Sequence, residues 1–222
     1  MFSSHIVFGD LDNHSSLSTK ERIDALERFW SICNLHRPDG VEESRFSFYT
    51  VDNDSLAAGL SGVPGFYDGL DVIRWALELQ ENLLDSGLSA TLALNLVAVG
   101  RQIDWNTYRG YVDNTNLLYV ADRFVDAMDQ ELRPRMVGDM LIVTSRLLEL
   151  GKKLGEPIVV STLRGGNVGF SSGVRTGGGL ERYRLVDQSH AYKLLGETKA
   201  KWLTDRNVRA FSIPSGHPWR GK

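Results

Sequence analysis

The sequence predicts an α+β fold, a mostly antiparallel sheet backed by helices. Three observations carry this. Helical-period and strand-like segments follow one another in the order βαββαβαβα, the first strand and the first hairpin both end in acidic turns, and the glycine-rich last third breaks the pattern. With 222 residues, 42% of them hydrophobic and 24% charged, the chain has the makings of one globular domain, with or without an extension.

Residues 5–9 (HIVFG) form a short buried strand, and the polar run DLDNHSS stops it. A helix begins next, because Ser18 and Glu21 have capping-box spacing and Ile23, Leu26, Phe29 or Trp30, and Cys33 recur at helical intervals. HRPDG ends it. SRFSFYTV, the acidic DND and SLAAGLSG then read as a β-hairpin with a tight turn. An amphipathic helix over 67–87 carries Leu70, Ile73, Leu77 and Leu84 on one side, with Gly87 as its stop. LSATLALNLVAVG is a buried strand. From Thr115 to Met128 the stripe Leu117, Ala121, Phe124 and Met128 predicts another helix, and DMLIVTSRLLEL predicts a strand followed by a helix. This order suggests a ferredoxin-like arrangement over residues 1–155.

Past Gly151, EPIVVS, ERYRLV and VRAFSI look like short strands around the glycine-rich RGGNVGFSSGVRTGGG, so 156–222 reads as a β-rich extension packed on the first domain. No P-loop pattern accompanies those glycines. The glycines read first as a flexible hairpin loop in a β-arm or flap, with a lid over the site and a dimer clasp both open as roles.

Charge and cysteine usage narrow the functional classes. A net charge of −3 argues against binding nucleic acid, which needs a basic face. The single cysteine, Cys33, is a core residue with no intramolecular disulfide partner, which fits a reducing compartment. There is no apolar run of membrane-spanning length and no signal-peptide pattern, so a cytoplasmic protein is expected.

The chemistry centres on acids. Asp10 ends the first strand and Asp54 lies in the hairpin turn, and an antiparallel sheet makes such ends neighbours. Two carboxylates meeting with no obvious cation nearby suit Mg²⁺ or Mn²⁺ with a triphosphate; the plainer alternative is a loop cap and a turn residue. Asn116, Tyr119 and Arg123 fall at i, i+3 and i+7 of the predicted late helix. They form either a phosphate- and base-reading stripe or a solvated face on which Arg123 pairs with Asp122 or Asp126.

Taken in order, these motifs resemble class III nucleotide cyclases. VFGDLDNHSSLS is similar to that family's Phe-x-Asp-Ile/Leu strand and following loop, NDSLAAGLSG to its Gly-Asp-Gly hairpin, and DVIRWALELQENL to its Ala-x-Ala-Leu-x-Leu-Gln helix. TNLLYVADRF resembles the family's Gly-Asp-x-Val-Asn-x-Ala-x-Arg-Leu helix, and GDMLIVTSRLLEL its closing strand and helix. The resemblance covers residues 5–150. It implies that Asp10, Asp54 and the Leu11 carbonyl hold two divalent cations, Mn²⁺ or Mg²⁺. It also implies that Phe8 and the 12–16 loop lie along the triphosphate and that Arg123 stabilises charge as pyrophosphate leaves. Metal and base-reading residues would come from opposite protomers of a homodimer. Asp12 falls at a variable position and is expected to be a solvated neighbour, and His14 a loop hydrogen-bonder.

The departures concern the base. Thr50 and Asn116 stand where adenylyl cyclases carry Lys and Asp, and Tyr119 where the family has a ribose-contacting Asn. A smaller pocket with amphoteric readers suits a pyrimidine. This resembles the stand-alone uridylate and cytidylate cyclases of Pycsar antiphage systems, which implies UTP or CTP as substrate, UTP favoured, and a separate effector activated by the cyclic nucleotide. A catalytically silent, nucleotide-binding cyclase-like dimer is the alternative. A diguanylate cyclase is disfavoured because the turn reads DNDS rather than Gly-Gly-Asp/Glu-Glu-Phe.

Overall fold

The computed structural model describes residues 2–41, 47–67, 69–104, 117–121, 135–137, 139–163, 184–205 and 208–213. In chain order the elements are β1 (Phe2–Leu11), α1 (Thr19–Leu35), β2 (Ser47–Asp52), β3 (Ser55–Leu60), α2 (Gly69–Asp85), β4 (Ala90–Asp104), β5 (Leu117–Ala121) and β6 (Arg135–Val137). They continue with α3 (Asp139–Leu154), β7 (Ile158–Leu163), β8 (Arg184–Leu185), α4 (Gln188–Leu195), α5 (Glu197–Asp205) and β9 (Val208–Ile213). All the described strands join one sheet in the order β2-β3-β1-β4-β7-β9-β8, with β5 branching from β4 and β6 pairing β5. Most pairings are antiparallel, but β4 runs parallel to both β7 and β5. Among the described residues no helix is long and apolar enough to cross a membrane.

Helices cover both faces of the sheet, which explains why the central strands carry buried apolar residues at successive positions rather than on one face only. Val7 and Leu11 of β1, Leu92 and Leu94 of β4 and Val160 of β7 meet Phe29, Cys33, Ile73, Leu79 and Leu83 of α1 and α2. Their alternates, Ile6, Ala93 and Val159, meet Met140, Val143, Leu147 and Leu150 of α3, together with Ala191, Leu195 and Ala200 of α4 and α5. The period-two alternation of β-strands thus builds two cores on one sheet. Cys33 is fully buried and burial pushes its thiol up to about 12, so it packs rather than reacts.

The first helix begins as predicted. Ser18 and Glu21 close a reciprocal capping box, a feature that typically contributes about 1 kcal/mol. Its buried face, however, is Ala25, Phe29 and Cys33, while Ile23 is 51% exposed. Leu84 of α2 is equally turned out, because the helix buries the stripe through Val72, Ala76, Leu79 and Leu83 instead.

Three sequence expectations are corrected. Residues 117–121 are a strand paired with β4, not part of a helix. The apolar run Met140–Val143 belongs to α3 from its first turn and is not a strand. The region after 156 is not purely β: it supplies α4 and α5 as well as β7, β8 and β9, which lengthen the main sheet.

Candidate active site

Asp10 closes β1 between Ser55 of β3 and Thr91 of β4. Ile6 and Phe8 of that strand face the α3 core, so Asp10, two residues on, faces the same way. There its Oδ2 accepts from the Lys152 ammonium in the last turn of α3. Burial lowers the pKa of Lys152 from the ordinary lysine value, so the carboxylate contact compensates lost hydration.

Asp54 is held from three sides. It is the second central residue of the two-residue turn between β2 and β3, whose first, Asn53, takes φ 49° in the left-handed region that asparagine tolerates. The Leu11 N–H donates to the Asp54 carbonyl at 2.8 Å, tying the turn to the end of β1. Trp30 Nε1–H donates to the Asn53 carbonyl at 2.6 Å, tying it also to α1. His14 Nδ1 lies 2.6 Å from Asp54 Oδ2. The loop carrying His14 is fixed in turn by Arg22, whose Nη2 donates to the carbonyls of Ser15 (2.9 Å) and Leu17 (3.2 Å).

Asp10 and Asp54 therefore share the edge formed by the strand ends of the sheet, yet each has a basic partner, which corrects the expectation of an acidic pair without a cation. Lys152 lies 142 positions from Asp10, too far for a local reading of the sequence to pair them, whereas His14 makes the loop hydrogen bond expected of it, to Asp54. Asp12 is corrected too. It is half-buried, accepting from Ser89 Oγ and Thr91 Oγ1 at 2.8 Å each, and its N–H donates to the Ser89 carbonyl.

The remaining candidates are dispersed. Phe8 is half-buried against the α3 core, and Leu11 is buried on the opposite face. Thr50 is exposed on the edge strand β2. Tyr119 is a strand residue in register with Gln102 and Met136, so it does not lie on a helix as expected. Asn116 and Arg123 lie outside the described residues.

The helix that does form suggests another arginine. The spacing Gly-Asp-x-Val-Asn-x-Ala-x-Arg-Leu is met by Gly138, Asp139, Arg146 and Leu147, with Leu141, Ile142 and Thr144 at the Val, Asn and Ala positions. Reading Met140–Val143 as a strand hid this signal. Arg146 is half-buried; its Nη1 donates to Glu149 Oε2 at 3.3 Å, and its Nε is buried with no partner among the described residues.

Glu149 also accepts from Lys199 Nζ at 2.7 and 2.9 Å, which joins α3 to α5, and lies 3.4 Å from Lys153 Nζ. The Lys199 hydrogen bond is the main reason its carboxyl titrates below the ordinary glutamate value. A depressed carboxyl pKa stabilises the fold above its unfolded value and ceases to do so as pH falls through the folded one. Glu149→Gln is thus expected to cost about 1 kcal/mol at neutral pH, given its partial exposure. Urea unfolding should show that deficit shrinking as pH drops below 4.5.

The donor chemistry of the edge fits a divalent cation. Carboxylates suit Mg²⁺ or Mn²⁺, and a neighbouring imidazole favours Mn²⁺. Among the described residues no group of three or more His, Cys, Asp or Glu is placed to hold a metal, so further oxygen ligands would come from main-chain carbonyls, water or a bound phosphate. Lys152 and His14 would also have to yield.

No family model matches the sequence, and no curated protein matches it. In three dimensions the chain is similar to a bacterial light-regulated adenylyl cyclase, with 15% identity and a TM-score of 0.51 over 96% of this chain and 52% of that one. It spans about half the length of that structure. It is also similar to the guanylate cyclase domain of RhGC from Catenaria anguillulae in complex with GTP, at 14% identity over 96% of each chain, TM-score 0.48. The catalytic core of a rhodopsin-guanylyl cyclase with converted specificity, in complex with ATPalphaS, aligns with 14% identity over 96% of each chain, TM-score 0.49. The first of these likenesses establishes the fold: an α+β sheet of the nucleotide cyclase type.

Proposed function

We propose that the chain is a nucleotide cyclase that converts a pyrimidine ribonucleoside triphosphate, UTP in preference to CTP, to its 3′,5′-cyclic monophosphate and pyrophosphate. One observation carries the reading: on a cyclase-type sheet, Asp10 and Asp54 sit at one edge, coupled through the Leu11 N–H to Asp54 carbonyl bond. In this proposal two divalent cations, Mn²⁺ or Mg²⁺, bind Asp10, Asp54 and the Leu11 carbonyl. When bound, they would lower the pKa of the ribose 3′-hydroxyl and brace the phosphates. The chain's own residues do the rest. Arg146 takes the charge-stabilising role that the resemblance gives to Arg123, because it lies on α3 at the family spacing and its buried Nε has no partner among the described residues. Homodimerisation would bring α3 of one protomer to the acidic edge of the other. The pyrimidine preference is supported by Thr50, which supplies neither the lysine nor the acid of a purine reader, and by Ile142, which stands where the family carries a polar ribose contact. A cyclic nucleotide made this way would act as a messenger to a separate effector in antiphage defence.

A second reading, a silent nucleotide-binding dimer, is favoured by the Lys152 and His14 contacts that occupy both carboxylates. Incubation with each of the four ribonucleoside triphosphates and Mn²⁺ separates the two readings. Cyclic UMP and pyrophosphate are expected, with turnover reduced about a hundredfold in Arg146→Ala and little changed in Arg123→Ala. Absence of product from all four nucleotides would establish the silent reading, and ATP as the best substrate would remove the pyrimidine preference.

A further inference from the structure

Lys152 is the basic group that the cyclase reading leaves without a task, although it touches the first metal aspartate. Its surroundings fix where its charge can go. Gly151 brings α3 so close to the sheet that a Cβ there would lie 2.8 Å from Thr91 Cγ2 and 3.0 Å from Val159 Cγ2, so the backbone beside Lys152 has little room to shift. The four-methylene stem is therefore its main freedom. The next residue, Lys153, turns to the other side, donating to the Leu194 carbonyl at 2.7 Å and approaching Glu149. Asp12 already takes two hydroxyl donors and Asp54 has His14, so the Lys152 ammonium is matched to Asp10. Its side chain is 37% exposed and that of Asp10 21%, which leaves the pair open enough to separate.

We propose that Lys152 is a partner-exchanging cation: it neutralises Asp10 until a divalent ion takes that carboxylate, and it then moves to the triphosphate. The inference rests on the cyclase reading and deepens it. An ammonium and a divalent cation repel each other on one carboxylate, so metal entry expels the lysine. A triphosphate brought to the same edge offers the displaced ammonium a new anionic partner within reach of its stem. The exchange keeps the edge near neutrality in both states. It also makes metal and nucleotide binding cooperative, since the nucleotide rewards the release of Lys152.

Mn²⁺ binding followed by electron paramagnetic resonance, with and without a non-cyclisable α,β-methylene analogue of UTP, tests this in the full chain. Lys152→Met is expected to bind Mn²⁺ alone about tenfold more tightly and the Mn²⁺–analogue complex about tenfold more weakly than wild type. Lys152→Arg, which keeps the charge, should stay near wild type in both. Unchanged Mn²⁺ affinity in Lys152→Met, or unchanged analogue affinity, overturns the exchange. Asp10→Asn separates this failure from that of the parent reading. If Mn²⁺ binding ignores Asp10, the metal site itself is wrong, and the exchange falls with it. If binding requires Asp10 while Lys152→Met behaves as wild type, the cyclase reading stands and the exchange alone is refuted.

Discussion

Asp54→Ala and Asp10→Asn are each expected to lower cyclase turnover about a thousandfold while leaving the protein folded. The structural side of this expectation is specific. The fold uses the main chain of Asp54, whose carbonyl accepts from Leu11 N–H, and alanine keeps that bond. The turn stays anchored by Trp30 through Asn53, which neither substitution touches. Losing the carboxylate frees His14 at a partly exposed position, where a single side-chain contact contributes about 1 kcal/mol. Asp10→Asn leaves an amide at the end of β1 and a partly exposed Lys152 that solvent can serve. Turnover would therefore fall far more than stability. Pyrophosphate release with UTP and Mn²⁺, set beside thermal melting, measures both. Retention of a tenth of wild-type turnover by either variant, with normal melting, would remove that residue from the metal site. Asp12→Asn is the contrast: its carboxylate is engaged by Ser89 and Thr91 within the fold, so stability rather than turnover should respond first.

How far the sequence disclosed the protein depended on whether the information was local. The Ser18–Glu21 capping box, the DNDS turn between two apolar runs and the strand expected over 88–100 are written in adjacent residues, and the structure has each, the strand as Ala90–Asp104. Asp10 and Asp54 could be paired because antiparallel pairing of the first strand with the hairpin makes the end of one the neighbour of the turn of the other, as β1 and β3 do. The errors arose where a short apolar run carries no period. Met140–Val143 reads as strand, yet it buries Met140 and Val143 and exposes Ile142, a helical pattern that four residues are too few to reveal. Leu117–Ala121 fails in the opposite sense: its leucines and alanine suggest helix, but β4 extends far enough to pair it as a parallel strand. Tertiary pairing overrode local propensity there, and the Arg123 assignment rested on that helix.

The site's counter-ions lay beyond local reading for a different reason. Lys152 meets Asp10 because α3 runs back along the sheet and ends beside the exit of β1, a consequence of the crossover from β4 to β7. The helices α4 and α5 are masked in the sequence by the glycine-rich run that precedes them, although Ala191, Leu195 and Ala200 pack in the core beside α3.

Gly151→Val is expected to be the most damaging single change away from the acidic pair, lowering stability by about 3 kcal/mol. Alanine at this position would gain roughly 1 kcal/mol of helix propensity. Against that gain stands a Cβ 2.8 Å from Thr91 Cγ2, closer than carbon atoms pack, and both close neighbours are stiff β-branched side chains. Valine adds two further methyl groups where the strands leave no space, so α3 must lift from the sheet. Lifting it strains Thr91, whose hydroxyl holds Asp12 Oδ1, and withdraws Lys152 from Asp10. The same substitution should therefore register twice. Thermal melting is expected to drop by about 6–12 °C for a chain of this size. At a temperature where the variant remains folded, Mn²⁺ affinity should move in the direction produced by Lys152→Met. A stability loss with unaltered Mn²⁺ affinity would mean that α3 yields without moving its end, and that its close seating on the sheet serves the core rather than the site.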